Sequence, residues 1–292
     1  MNAFDEFNPL SVFVYFLAAA GIAMFASDPV LLSLSMLGSV LLYCIRTRSS
    51  QRGTHLFSLM LFIGLSLINP LFQHNGVTVL FVLNDNPVTL EALLYGISAA
   101  AMIVSVLYWF RSFSAIITSD KLLYLFGLVS SKLALLVSMA LRYVPLFKAQ
   151  AKNVDAAQRA MGQYREDNVI DAIRLKLSVF SIMVSWALEN GIVTADSMAA
   201  RGYGIGKRTC FSPYRFRGKD ALLTILTLLS GAAVCILMGL GHLDFNYYPA
   251  TDPLLFTPAR AAAYGAYLLL CLLPSLIEIG DALKWQYLRS KM

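Results

Sequence analysis

Trp186–Thr209, WALENGIVTADSMAARGYGIGKRT, decides how this chain is read. Its first half has helical spacing, with Ile192, Ala195, Met198 and Ala199 recurring on one face. Ala195, Ala199, Ala200 and Gly202 are small, so another backbone can approach that turn closely. Gly202, Gly204 and Gly206 then stop the helix, Gly202 standing where a terminal cap belongs. Arg201 falls in the last turn, where the helix dipole favours a cation. Taken alone, the stretch is a well-ended helix carrying a solvated arginine.

A second stretch gives that end a counterpart. Asp155–Gly162 reads DAAQRAMG and Ala195–Gly202 reads ADSMAARG. Aligned without gaps, Ala160 falls on Ala200 and Gly162 on Gly202. Two helices inside one basic segment are therefore expected to end on the same Ala-x-Gly device, which points to two similar docking sites. The glycines themselves do not spell a nucleotide site. A phosphate-binding loop needs four residues between its first Gly and its Gly-Lys, followed by Ser or Thr. Here Gly202 and Gly206 enclose only Tyr203, Gly204 and Ile205, and Arg208 follows Lys207. The dinucleotide pattern fails as well, because the spacing is wrong and no strand precedes it.

Composition sets the class. The chain of 292 residues is 58% hydrophobic and 14% charged, with a mean hydropathy of +0.66. A soluble domain carries about 25% charged residues. These values specify an integral membrane protein, expected to be all-α from the span-length apolar runs below, in which the formal charge of +6 reports sidedness rather than nucleic-acid binding. Cys44, Cys210, Cys235 and Cys271 are scattered, and His55, His74 and His242 stand apart, so neither a disulfide framework nor a metal site is expected. Asp5 and Glu6 stand where a secretory signal would be positive, and no cleavage site follows the first apolar run.

Apolar runs near the roughly 20 residues that span a bilayer come at 10–26, 30–45, 55–72 and 89–110, and again at 220–241 and 260–283. Asp28-Pro29 makes the first two a tight hairpin, and Gln73–Thr89 reads as a polar, turn-rich loop. Two further apolar runs, 122–147 and 177–193, compete for the membrane, and charge decides against them. Arg46, Arg48 and Arg52 put the loop after the second span in the cytoplasm, and parity returns Arg111 to the same side. If both central runs crossed, Arg142, Lys148, Lys152, Arg159, Arg165, Arg174 and Lys176 would lie outside. With 111–219 left inside, every Lys and Arg but Arg260 is cytoplasmic, and the outer loops 73–88 and 242–258 hold none. The expected organisation is four spans over 1–110, a cytoplasmic helical module over 111–219, and two spans over 220–292, with both termini cytoplasmic. Lys132 and Arg142 suit an interfacial first module helix, which Pro145 should bend or end. Glu91, Glu278 and Asp281 fall near span ends, where solvation is the expected state.

Several motifs then resemble a known family. Ala195–Gly204 (ADSMAARGYG) with Arg208-Thr209, Ser138–Leu146 (SMALRYVPL), Ala157–Gly162 (AQRAMG) and Ser119–Leu123 (SDKLL) are similar to the T component of energy-coupling factor (ECF) transporters, the group that includes the integral subunit of cobalt-type uptake systems. The specific motifs cover roughly 110–210; the flanking spans match by pattern. The resemblance implies an L-shaped helical membrane protein of a bacterial or archaeal plasma membrane, with long cytoplasmic coupling helices. It implies that two such helices each dock an Ala-Arg-x motif into a groove of one ABC-type ATPase subunit. ATP and Mg would be bound by those subunits, with no cofactor, metal or catalytic residue in this chain. The motion would pass to a membrane S component that binds a vitamin or a transition-metal ion. On this resemblance Ala200, Arg201 and Gly202 make the second ATPase-coupling site. Arg159, Ala160, Met161 and Gly162 make the first, where Met161 takes the arginine's position and Arg159 is the displaced charge. Two spans after the module, rather than one, mark a longer variant.

Two other classes compete. A polytopic enzyme acting on phosphorylated lipid should show convergent carboxylates, histidines or a metal set at membrane depth. A self-contained carrier should show repeated spans or broken polar helices. Neither signature is present in the sequence. The one-sided charge gives a direct expectation for topology. Single cysteines near Gly76 or Asn246 should react with an impermeant thiol reagent in intact cells, and cysteines near Gln163 or Lys207 only after the membrane is opened. Labelling at Gln163 in sealed cells would overturn the six-span arrangement.

Overall fold

The computed structural model describes residues 3–46, 52–73, 75–83, 86–162, 169–206, 214–253 and 256–291. Lys207, Arg208 and Thr209 of the Gly-rich stretch lie outside these residues, as do Arg48, His74, Arg165 and Cys210. The chain divides into two compact units, Met1–Lys121 with Tyr214–Met292, and Leu122–Pro213.

The first unit opens with a short 3-10 helix, Ala3–Glu6, and α1, Pro9–Phe25. Asn8 caps α1, its side chain accepting the Leu10 N–H at 3.0 Å, and Pro9 takes the first helical position, where no N–H is needed. Ala26–Asp28 turn the chain into α2, Pro29–Arg46, where Asp28 accepts the Val30 N–H at 2.9 Å. This is the expected hairpin. After α3, Arg52–Phe72, the stretch read as a loop instead folds into two antiparallel strands, β1 at Val79–Leu83 and β2 at Asn86–Thr89. Thr89 then starts α4, Leu90–Ile116, accepting the Ala92 N–H at 3.3 Å. The unit closes with α8, Gly218–Gly239, and α9, Pro258–Ser290. Between them α5, Ser119–Val129, leads to α6, Ser131–Ala160, and α7, Val169–Ala200. The class expected from composition, an all-α membrane protein, is the observed one, with one small hairpin added.

The core of the first unit is aromatic and its polar tips are bonded. Trp109 on α4 is fully buried and donates from Nε1 to Ser35 Oγ at 3.1 Å. The Tyr15 hydroxyl donates to the Leu270 carbonyl at 3.1 Å, and that of Tyr267 to the Ala19 carbonyl at 3.3 Å. These bonds meet the need of a buried hydroxyl or indole for a partner. Two glycines allow backbones to meet. A Cβ on Gly38 would lie 2.6 Å from Cys271 Cβ, and one on Gly96 would lie 2.7 Å from the Ser66 carbonyl oxygen.

Among the described residues, length and hydropathy qualify six helices to cross a membrane: α2, α3, α4, α6, α8 and α9. The count equals the expected one, but the set differs. α1 has 17 residues and falls below the length used for a span, whereas α6 qualifies. Packing separates these two helices. α1 buries eight residues and packs on α4 and α8, so it belongs to the helical body of the first unit. α6 buries only Gln158 among its described residues and carries Lys132, Arg142, Lys148, Lys152 and Arg159.

One sequence expectation is corrected. Glu91 and Glu278 are not merely solvated. Glu91 is buried and accepts hydrogen bonds from both the backbone N–H and the hydroxyl of Thr78, which ties the strand connection to the start of α4. Glu278 is buried and pairs with Arg46 Nη1 at 3.1 Å. A buried carboxylate of either kind requires a partner, because water is not there to solvate it. Pro145 does not end its helix: α6 runs through it. One missing donor is tolerated there because Tyr143 and Phe147, on either side, pack against α7.

The charges gather by end of the bundle. Near one end Arg46 Nη2 meets Asp5 Oδ1 at 2.8 Å, Lys121 Nζ donates to the Asp5 carbonyl at 3.0 Å, and Asp220 accepts the Asn8 N–H at 2.8 Å. Burial holds the Lys121 ammonium below the ordinary lysine range, against the opposing pull of Asp5. At the other end the Tyr264 hydroxyl donates to Asp28 Oδ2 at 2.6 Å, and Tyr247 bonds Ser27 and Ser98. Arg260 donates there to the carbonyls of His242 and Asp244.

The close approaches yield a stability prediction. Gly38→Ala and Gly96→Ala should each destabilise the detergent-solubilised protein by about 1–3 kcal/mol through overpacking, seen as a lower unfolding midpoint. Gly64→Ala, with nothing within 4 Å of the added carbon, should leave the midpoint unchanged or slightly higher.

Candidate functional site

The second unit contains both helix ends singled out in the sequence. α7 ends at Ala200, Arg201 takes the capping position, and Gly202 follows with φ +76°. The Gly202 N–H donates to the Ala199 carbonyl at 3.0 Å and the Tyr203 N–H to the Met198 carbonyl at 3.0 Å. Those two bonds are the paired closure that satisfies the last carbonyls of a helix, and they require a left-handed residue where Gly202 stands. α6 ends in the same way. Met161 is its cap, Gly162 follows with φ +65°, and the Gly162 N–H donates to the Arg159 carbonyl at 3.1 Å. The gapless alignment thus pairs structurally equivalent positions: Ala160 with Ala200, Met161 with Arg201, and Gly162 with Gly202.

The two ends are not brought together. Tyr143 on α6 shares a hydrogen bond with Thr194 on α7 at 2.8 Å, and Phe147 packs edge-on against Trp186 at 5.4 Å between ring centroids. Advancing along α6 therefore means going back along α7. At about 1.5 Å per residue, Tyr143–Ala160 and Thr194–Ala200 lead away from the crossing in opposing directions and set the two ends on the order of 30 Å apart. They are two separate surfaces.

Their chemistry differs. Arg201 is exposed, and the turn behind it presents Tyr203 and Ile205, the latter 87% exposed. Met161 is 61% exposed and carries no charge. Arg159 is held on its own helix, its Nε donating to Asp155 Oδ2 at 3.0 Å, one turn before the cap. An exposed i,i+4 pair of this kind contributes about 0.3–0.5 kcal/mol, so a competing carboxylate can displace it. The sequence reading passed over Tyr203, Ile205 and Asp155. Glycines on both sides of Tyr203 and Ile205 were the available sign, since a left-handed turn turns the following side chains outward.

The surroundings carry as much information as the ends. Across α6 and α7, Gln158 and Leu175 are the buried residues among those described. Val169, Ile170, Phe180, Leu188, Ile192 and Val193 are all exposed. Apolar surface on that scale belongs to a membrane or a protein partner.

No family model matches the chain. Two curated relatives share one name. The energy-coupling factor transporter transmembrane protein EcfT 1 of Listeria monocytogenes serotype 1/2a (strain 08-5578) is 29% identical over 107 residues, which are 36% of this chain and 40% of the relative. The energy-coupling factor transporter transmembrane protein EcfT of Streptococcus equi subsp. equi (strain 4047) is 28% identical over 188 residues, 58% of this chain and 68% of the relative.

This chain is related to the EcfT proteins. The match covers less than half the length of the Listeria EcfT and about two thirds of the Streptococcus one. Both names are those of membrane components of a transporter, in keeping with the long apolar helices found here, and the chain is a multi-pass membrane protein.

The helix-end geometry is itself testable. Gly202→Ala and Gly162→Ala should each cost about 1–2 kcal/mol locally, because a side chain disfavours the left-handed region. Amide exchange should speed up in the last turn of α7 for the first variant and of α6 for the second. Gly206→Ala, which has no positive φ to maintain and open space around it, should leave both turns unchanged.

Proposed function

We propose that this chain is the transmembrane coupling subunit of an ECF-type importer. It passes ATP-driven motion from two cytoplasmic ABC-type ATPase subunits, the same or different, to a membrane S component that binds a vitamin or a transition-metal ion. In this reading 111–219 forms the cytoplasmic coupling module, both termini are cytoplasmic, and ATP and Mg are held by the partners. The chain supplies no catalytic residue. The observation that carries the reading is the pair of equivalent helix ends, set apart on long helices whose apolar faces lack cover within their own unit. The EcfT names of both relatives agree with it.

Each end has a role. Ala200 and Gly202 let a groove close on Arg201, whose planar fork can grip a carboxylate with two parallel bonds. Desolvated in such a groove, that pair contributes on the order of 1.5–3 kcal/mol. Ala160 and Gly162 offer the same close approach at the first end, but Met161 brings only apolar contact, and the charge beside it, Arg159, is paired through Nε with Asp155.

Uptake and ATPase co-purification should therefore respond unequally. Arg201→Ala, at normal membrane abundance, should lower uptake at least tenfold, with Arg201→Lys intermediate. Met161→Ala should be milder, within about threefold on the scale of a small apolar loss. Arg159→Ala reports whether the displaced charge serves the first groove. An Arg201→Ala protein that keeps its ATPases and transports at the wild-type rate would refute the coupling role of Arg201.

A further inference from the structure

Four ionisable side chains from four different elements meet inside the first unit. Arg46, at the end of α2, holds Asp5 through Nη2 at 2.8 Å and Glu278 of α9 through Nη1 at 3.1 Å. Lys121, in the first turn of α5, donates to the Asp5 carbonyl at 3.0 Å and lies 4.0 Å from its carboxylate. Three of the four side chains are over nine-tenths buried: Arg46 and Lys121 are 8% exposed and Glu278 is 4% exposed. Glu278 Oε2 is buried and without a hydrogen bond among the described residues. The two positive and two negative charges balance.

Such a cluster is a poor way to gain stability. Apolar side chains of similar volume would serve as well, because charges lose their hydration on burial. What buried charge provides is a single permitted arrangement, since shifting one partner leaves the others unpaired. The position of Lys121 shows which arrangement is enforced. It is the last residue of the first compact unit before the chain continues through the rest of α5 to α6. α5 buries no other side chain among its described residues.

We propose that Asp5, Arg46, Lys121 and Glu278 form a charge-locked anchor for the first turn of α5, through which movement of the coupling helices is delivered to α2 and α9. Lys121 and Arg46 are thus positioning residues, touching neither nucleotide nor substrate. The inference rests on the coupling reading for its consequence in transport, but the anchor itself has an independent readout.

The test uses the full chain, co-expressed with its ATPase and S subunits. Lys121→Met keeps the length of the side chain and removes the charge. It should speed amide exchange across 119–123 at least tenfold while α2 and α9 exchange as in the wild type. It should retain the ATPases and their ATP hydrolysis while uptake falls at least tenfold. Lys121→Arg, which keeps a donor, should recover part of the uptake. In Asp5→Cys/Lys121→Cys, low uptake under reducing conditions should rise several-fold once a short bis-thiol reagent bridges the two positions, an effect that restored packing alone would not give. Unchanged exchange at 119–123, or wild-type uptake in an assembled Lys121→Met complex, would overturn the anchor. So would a loss of uptake that merely follows loss of the ATPases. Should the wild-type chain bring down no ATPase at all, the coupling reading falls, and amide exchange alone then decides for or against the anchor.

Discussion

An arginine at the end of a membrane-length helix has to find its counter-charges inside the protein, and Arg46 finds two. Asp5 is 41 residues away in the chain and Glu278 is 232 residues away. Removing either partner would leave buried charge uncompensated, at a cost on the order of 3–5 kcal/mol where both groups are buried. That demand fixes the depth of α9 against α2 and draws the N-terminal turn over the same end. Asn8 continues the seam to Asp220, where α8 begins, while Ser11 and Thr224 bond each other beside it. The opposite end is held differently, by the phenol hydroxyls of Tyr264 and Tyr247 on Asp28, Ser27 and Ser98. Between these two polar seams the helices pack through Trp109, Tyr15 and Tyr267 and through the close approach of Gly38 to Cys271. The first unit is therefore braced at both ends.

The second unit follows another rule. α6 and α7 contain 30 and 32 residues, yet a few contacts around Tyr143, Phe147, Trp186 and Thr194 join them. Their stability has to come largely from whatever covers Phe180, Leu188, Ile192 and their neighbours, since isolated helices gain little from propensity alone. Such helices keep their internal hydrogen bonds whatever surface they rest on.

What could be read from the sequence followed from short-range rules. The hairpin at Asp28-Pro29 and the ends at Gly162 and Gly202 are set by residues within a turn of one another. Glu278 could not be read, because its partner stands two hundred residues away and a carboxylate near a span end looks the same in sequence whether hydrated or paired. Glu91 was missed for a related reason: its partner Thr78 precedes a hairpin whose strands, with Asn86 and Pro87 in them, carry the residues of a turn. Of the two outcomes expected at Pro145, a bend or an end, the end is excluded because α6 runs through it. α1, at 17 residues, and α6, at 30, differ from the spans read in the sequence by length and hydropathy, and they differ from each other in how much they bury.

The helix-end device recurs in the first unit. α8 closes in the same way as α6 and α7, with Gly241 left-handed and the His242 N–H returning to the Leu237 carbonyl at 3.1 Å. The closure is thus ordinary backbone chemistry and confers no docking role by itself. What varies is the residue at the capping position, where the glycine that follows has already settled the backbone. Leu240 occupies it on α8, Met161 on α6 and Arg201 on α7. Because glycine meets the conformational demand, the cap is free to differ in chemistry at no cost to the helix. An apolar cap, a flexible thioether and a guanidinium can then face three different surroundings from one scaffold. Met161 and Arg201 therefore share one backbone device while offering a neighbouring surface different chemistry, apolar contact from the one and a charged, planar fork from the other.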